Sequence, residues 1–201
     1  SSDTLSAAEW RLSSPSEAAL LKKLSTGSRP LGQVSKRIFQ GLKTSLDKVF
    51  ILEVLEQGDG RVRVLCRQDE KEYWLETSLL HPLIKGGDSK RYCLAKTDLV
   101  IVFPYGPVEG EGVGLIPADE LSERYPLTWE YLGAHKNALQ GREDGKMIGP
   151  KWYGYVYPKA LDVMDLPKIF TPDIAPLASF SLDASGTQFF TGGVSGGYGI
   201  L

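Results

Sequence analysis

Cysteine and histidine are scarce in this sequence: two cysteines, Cys66 and Cys93, and two histidines, His81 and His135. Without short spacings among them they exclude a zinc finger, and two distant thiols exclude a disulfide-stapled scaffold. Each cysteine lies in an apolar, strand-like run, so both are expected as small buried thiols, a usage that suits a reducing cytoplasm. No run of about 18 apolar residues occurs, so no membrane-spanning helix is expected. Residues 1–10 are polar and lack the basic-then-apolar pattern of a secretion signal. Neither sign of charge dominates. Lys+Arg 23 against Asp+Glu 25 gives a net charge of −2, which excludes a uniformly basic nucleic-acid coat and an acidic disordered tail.

Catalytic signatures are missing as well. There is no Walker loop. Gly110, Gly112 and Gly114 match a dinucleotide fingerprint only loosely, since the third glycine is one position early and a Pro-started helix follows; a loop is the expected structure. Neither histidine has an evident nucleophile partner, so a small hydrolase built on His81 or His135 is a weak reading. Asp119 and Glu120 read as helix-start acids. No catalytic residue, no metal ligand and no cofactor site is expected.

What is present is an ordinary globular balance over 201 residues, 42% hydrophobic and 24% charged, enough for one core. Gly 22 and Pro 12 are spread along the chain as turns, and glycine dominates only after Gly192. Ser14, Pro15 and Glu17 form a capping-box pattern, followed by the apolar stripe Ala18, Leu21 and Leu24 and a stop at Gly27. Strands are expected over 48–54, 61–67, 72–76, 92–94, 98–105, 168–172 and 179–182. Asp59-Gly60 marks a hairpin, and Val62, Val64 and Cys66 share one face. Helices are expected over 117–124 and from Pro126 to Gly141, carrying Leu127, Tyr131, Ala134 and Ala138. Residues 142–151 read as a loop.

The placement of charge is more informative than its sum. Residues 36–48 carry +3, and so do residues 85–96, leaving −8 on the rest of the chain. Between them in character stands an aromatic-basic stretch: Lys151, Trp152, Tyr153, Tyr155, Tyr157 and Lys159. Basic strips on an acidic body steer a polyanion to one face. Lysines beside aromatics can hold phosphates and pack on sugars or bases. The alternative is a non-enzymatic protein-interaction module, its basic residues solvated and its aromatics an interface core.

A series of motifs then occurs in order. It opens with Ile38-Phe39-Gln40-Gly41-Leu42-Lys43-Thr44-Ser45-Leu46-Asp47-Lys48-Val49-Phe50-Ile51-Leu52. Pro82-Leu83-Ile84-Lys85-Gly86-Gly87-Asp88-Ser89-Lys90-Arg91-Tyr92 follows, then Val100 to Tyr105, then Tyr125-Pro126-Leu127-Thr128-Trp129-Glu130-Tyr131-Leu132. Lys151-Trp152-Tyr153 comes next, and the series closes with Lys168-Ile169, Pro172, Ile174, Phe180, Asp183, Gly186 and Gly196 to Leu201. The series resembles TaqI-like C-terminal specificity domains. These are the target-recognition domains of bacterial adenine-N6 DNA methyltransferases and of fused restriction-methylation (type IIG) enzymes, related to type I specificity subunits. Coverage runs from about Trp10 to the end. The sequence departs from the pattern at Thr44-Ser45, where the family often has glycine after Ser/Thr. It departs again at Val156-Tyr157, where arginine is frequent.

The resemblance implies an α+β fold: an irregular, β-rich (β-helix-like) body with an N-terminal helix and a helical insertion. Residues 1–28 would be a linker helix and 29–201 the recognition domain, with the insertion at 117–141. It implies double-stranded DNA as partner and an upstream methyltransferase domain of the same parent chain. The Asn-Pro-Pro-Tyr/Phe motif, the S-adenosylmethionine loop and the family's closing helices are not in this sequence, which therefore reads as a fragment without turnover. S-adenosylmethionine would belong to the parent's catalytic domain. Three DNA-contact strips are expected: Lys43, Thr44 and Ser45 as a backbone-gripping turn; Lys85, Lys90 and Arg91, with Arg91 reading guanine; and Lys151, Trp152, Tyr155 and Lys159. A soluble cytoplasmic protein is expected.

Overall fold

A computed structural model describes residues 14–94, 96–108, 110 and 112–201. The part of the expected N-terminal linker that precedes Ser14 lies outside the described residues. The chain divides into two compact units, Ser1–Lys36 and Arg37–Leu201.

In the first unit, α1 (Pro15–Ser25) starts as its sequence dictates. The Glu17 backbone N–H donates to the Ser14 hydroxyl at 3.3 Å, and the Ser14 N–H donates to the Glu17 carboxylate at 2.7 Å. Two otherwise unpaired donors are thereby satisfied. The helix buries none of its residues. A single helical turn, α2 (Leu31–Val34), follows.

The second unit is mixed α+β and β-rich. In chain order it contains β1 (Ile38–Gln40), α3 (Asp47–Phe50), β2 (Ile51–Gln57), β3 (Arg61–Cys66), β4 (Lys71–Glu76), β5 (Leu80–Ile84), β6 (Ser89–Lys90) and β7 (Cys93–Leu94). Then come β8 (Leu99–Val102), β9 (Tyr105–Val108), β10 (Gly112–Leu115), and the helices α4 (Ala118–Arg124), α5 (Pro126–Ala134) and α6 (Lys136–Gln140). The last strands are β11 (Lys168–Pro172), β12 (Ser181–Asp183), β13 (Phe189–Phe190) and β14 (Gly197–Ile200). A six-stranded sheet has the order β13-β5-β8-β2-β3-β4, and a four-stranded sheet the order β1-β14-β11-β12. Between the strands named here pairing is antiparallel except for β13 and β5. β9–β10 and β6–β7 form two separate ribbons.

Several expected elements hold with their physical causes visible. In β3, Val62, Val64 and Cys66 are buried while Arg61 is exposed, as alternation requires. Other expectations shift. Residues 48–54 begin as the helical turn α3 because the Leu46 N–H donates to the Thr44 hydroxyl at 3.1 Å, tightening the chain before β2. The run 98–105 splits at Pro104, which has no N–H to continue the ladder. The helix from Pro126 breaks at His135 (φ −103°, ψ 10°) into α5 and α6. Cys66 is buried, but Cys93 is exposed, since its strand is two residues long and stands on a small hairpin.

The glycine-dominated end is a central strand rather than a linker. Gly199 of β14 lies between Phe39 and Phe170 in the register of the sheet. A Cβ at Gly199 would collide with the Phe39 ring, and one at Gly197 with the Thr171 carbonyl. Glycine is needed here to let neighbouring backbones and rings approach.

Two polar devices hold the elements in place. Glu76, at the end of β4, accepts from the N–H groups of Leu127 and Thr128 at 2.8 and 2.9 Å and from the Thr128 hydroxyl at 2.6 Å. A strand carboxylate thus caps the N-terminus of α5, where Pro126 leaves no donor of its own. Across β11 and β12, Lys168 Nζ meets Asp183 Oδ2 at 2.9 Å with both side chains buried. The ammonium's other donors go to the carbonyls of Met164 (2.7 Å) and Leu166 (3.2 Å). Asp183 also accepts from the Gln188 N–H at 2.9 Å and the Ser185 hydroxyl at 3.1 Å. Burial alone would raise its carboxyl pKa, but Lys168 and these donors hold it below the ordinary aspartate value.

Asp183→Ala, which strands a buried ammonium, is expected to cost about 3–5 kcal/mol in urea denaturation. Because the folded-state pKa of Asp183 is depressed, its contribution is complete above the ordinary aspartate pKa. It is lost as pH falls from that value through the depressed one. The wild-type loss of stability below about pH 4 should therefore be shallower in Asp183→Ala, as read from urea midpoints across that range.

Candidate nucleic-acid interface

The first expected strip begins as a turn out of β1. Lys43 is exposed and pairs antiparallel with Tyr157 in an isolated bridge. Ser45, at the position where the resembled pattern has glycine, has φ +59°. The left-handed turn is therefore kept, with a serine carrying its strain. Thr44 is a correction: it is buried, its hydroxyl donates to Asp47 at 2.5 Å, and its carbonyl accepts from Arg142 at 2.8 Å. It builds the turn and exposes almost no surface of its own.

The third strip is divided in the same way. Lys151 and Lys159 are exposed. Trp152 and Tyr155 are core residues, a second correction. Trp152 packs against Trp129 and Tyr153, with Lys136 Nζ 5.3 Å from its ring centre. Tyr155 donates to the Val102 carbonyl at 2.6 Å and meets Phe50 edge-on. Large aromatic rings gain most by burial, and here that effect outweighs any role as a stacking platform.

Arg142, read from sequence as part of a polar loop, ties these segments together. It is buried, and its guanidinium donates to four carbonyls: Leu139 (2.7 Å), Thr44 (2.8 Å), Trp152 (2.7 Å) and Gly154 (2.8 Å). The guanidinium carbon stands 5.3 Å from the Phe50 ring centre. Burial lowers its pKa to about 10, so it stays charged at neutral pH. The next residue, Glu143, has φ +50° and accepts from Ser45 (3.3 Å) and Tyr157 (3.1 Å). Lys146 Nζ covers the Tyr157 ring at 4.4 Å. The Lys43–Ser45 turn and the 142–159 segment thus form one surface, on which the exposed Lys43 and Lys146 stand beside exposed Glu143 and Asp144.

The second strip lies on the turn after β5 and on the β6–β7 ribbon. Half-buried Lys85 lines a cleft of about 210 Å³ together with Lys48, Arg67 and Asp47. Lys48 belongs to the first basic segment, so the two segments meet at this cleft. Lys90 is exposed, and its Nζ donates to the Gly87 carbonyl at 2.9 Å. Arg91 and Tyr92 are the tip of the ribbon. Tyr92 has φ +61° and is 81% exposed, with the Arg91 guanidinium 5.2 Å from its ring centre. The tip faces a groove of about 550 Å³ closed on its other side by residues 172–180, among them Ile174, Leu177 and Phe180.

Other arginines are neutralised in place. Arg63 pairs with Glu56 (2.7 Å) and Glu72 (3.0 Å), and Arg67 reaches Glu53 at 3.3 Å. His81 stacks flat on Phe189 at 4.0 Å, and burial lowers its pKa to about 4. It is a packing residue, neutral at pH 7.

No family model matches the chain. Two curated relatives do. One is the type II restriction enzyme and methyltransferase RM.Eco57I of Escherichia coli, 27% identical over 194 residues. That match covers 90% of this chain and 19% of the relative. The other is the type II methyltransferase M.BanIII of Aneurinibacillus aneurinilyticus, 26% identical over 153 residues, covering 73% of this chain and 23% of the relative. The chain is therefore similar to parts of type II restriction-modification methyltransferases and spans less than a quarter of their length.

Arg142→Met removes the donor shared by four carbonyls and is expected to cost about 3–5 kcal/mol in urea denaturation. Glu143→Gln, at the exposed end of the same network, should cost less than about 1 kcal/mol. Equal costs would contradict the clamp.

Proposed function

We propose that this chain is the DNA target-recognition domain of an adenine-specific N6-methyltransferase of a restriction-modification system. It positions a duplex for a separate catalytic domain that uses S-adenosylmethionine. The observation that carries this reading is the juxtaposition of cations from distant segments: Lys43 beside the 142–159 segment, and Lys48 beside Lys85 in one cleft. The similarity to the two methyltransferases supports it.

The roles follow from chemistry. Lys43, Lys48, Lys85, Lys151 and Lys159 contact phosphates and set register, which needs charge but no sequence information. Arg91 is the base reader. A guanidinium at a ribbon tip can reach the O6 and N7 acceptors of guanine, and a two-stranded ribbon fits the major groove. Tyr92 stacks beside it or against a flipped neighbour. This chain supplies recognition and no bond-making step. Gly112 and Gly114 lie as strand residues in the β9–β10 ribbon rather than as a strand-to-helix phosphate turn.

Duplex DNA binding by the chain, followed by fluorescence anisotropy, should weaken steeply with salt. Lys85→Ala is expected to lower affinity equally for all duplexes and to reduce the log–log salt slope by about 1. Arg91→Ala should cost about 1–3 kcal/mol and act only at guanine-containing sites. Salt-independent binding, or affinity untouched by both changes, would favour a protein-interaction module.

A further inference from the structure

We propose that Cys66, Asp69 and His135 hold a divalent metal ion of the zinc class. Cys66 ends β3, Asp69 lies in the turn to β4, and His135 stands at the junction of α5 and α6. Their ligating atoms lie within 4.8 Å of one another. His135 Nε2 is 3.6 Å from Cys66 Sγ and 3.5 Å from Asp69 Oδ2.

Three observations favour metal coordination over a plain hydrogen-bonded cluster. First, Nε2 sits almost equidistant from sulfur and oxygen, and 3.5 Å is too long for a good N–H···O bond. A tetrahedral ion with zinc-ligand lengths places neighbouring S, N and O ligands about 3.3–3.6 Å apart. Second, the outer contacts already orient the ligands. His135 Nδ1 lies 2.9 Å from the Tyr131 carbonyl, so it carries the proton and leaves Nε2 free to bind. The Tyr73 hydroxyl donates to Asp69 Oδ2 at 2.5 Å, and the Tyr131 hydroxyl, whose shorter contact at 2.6 Å is to the Val49 carbonyl, also lies 3.2 Å from Cys66 Sγ. Such second contacts accompany metal-bound histidine and carboxylate. Third, the donor set selects the ion. Thiolate with imidazole suits zinc and disfavours magnesium or calcium.

Cys66 and His135 are buried, while the Asp69 side chain is 26% exposed. The ion would enter from the Asp69 side and keep water there as its fourth ligand. On binding, the Cys66 thiol releases its proton to solvent as the sulfur–metal bond forms. The ion would pin the β3–β4 turn to the helix pair. Zinc fingers are excluded by the scarcity of cysteine and histidine, but the spacing Cys66-x-x-Asp69 puts a carboxylate where such turns often carry a second thiol.

The test uses the chain purified without chelator and desalted. About one zinc per chain should remain by elemental mass spectrometry. Titration with Co²⁺ should produce tetrahedral d–d bands and a thiolate-to-cobalt charge-transfer band, both displaced by Zn²⁺. Asp69→Asn, at the exposed ligand, should keep the circular dichroism of the wild type and weaken Co²⁺ binding at least about tenfold. Cys66→Ser should abolish the charge-transfer band, and Cys93→Ser should leave it intact. A wild-type chain that shows no cobalt bands and no zinc overturns the proposal. So does a band that follows Cys93, or an Asp69→Asn chain that binds as the wild type does.

Discussion

The buried guanidinium of Arg142 is the interaction on which the candidate surface depends. Among the described residues it meets no carboxylate, and four backbone carbonyls supply the negative charge instead. Carbonyl dipoles are fixed by the chain, so the arrangement is rigid in a way that a salt bridge between long side chains is not. The end of α6, the turn after β1 and the 152–154 strap are thereby locked into one position. Every exposed cation argued to touch phosphate in those segments inherits that position.

The division of labour among the charged residues follows from this rigidity. Arginines on the face of the β2–β3–β4 sheet are matched by glutamates on neighbouring strands and contribute little field. Among the described residues, the lysines of the Lys43 turn, of the shared cleft and of the 146–159 segment make no such ion pair, although Asp47, Glu143 and Asp144 lie near them. A surface that reads a polyanion needs this contrast between neutralised and uncompensated charge more than it needs a high net charge.

Local chemistry made much of this architecture legible. The Ser14–Glu17 capping box, the β2–β3 hairpin at Asp59-Gly60 and the buried alternation of Val62, Val64 and Cys66 all follow from short-range rules. The candidate site was only half legible. Charge patterning located the exposed lysines and Arg91, but could not separate Trp152 and Tyr155 from the core, because aromatic residues serve both roles equally well. Arg142 was hidden for a different reason: its partners are backbone carbonyls, which leave no trace in side-chain patterns. The grouping of Cys66 and Asp69 with His135 depends on α5 docking against β4, a long-range event that a carboxylate on Glu76 directs.

The place of β14 in its sheet has a consequence for how the domain is made. Residues 197–200 separate β1 from the β11–β12 pair, so β1, the first strand of this unit, has no strand partner until β14 is made. Such closure between remote ends is slow, because the entropy of the whole intervening chain must be given up before the contacts form. Until then β1 and the β14-facing edge of β11 are open to wrong partners. Completion of this sheet is thus tied by topology to the arrival of β14.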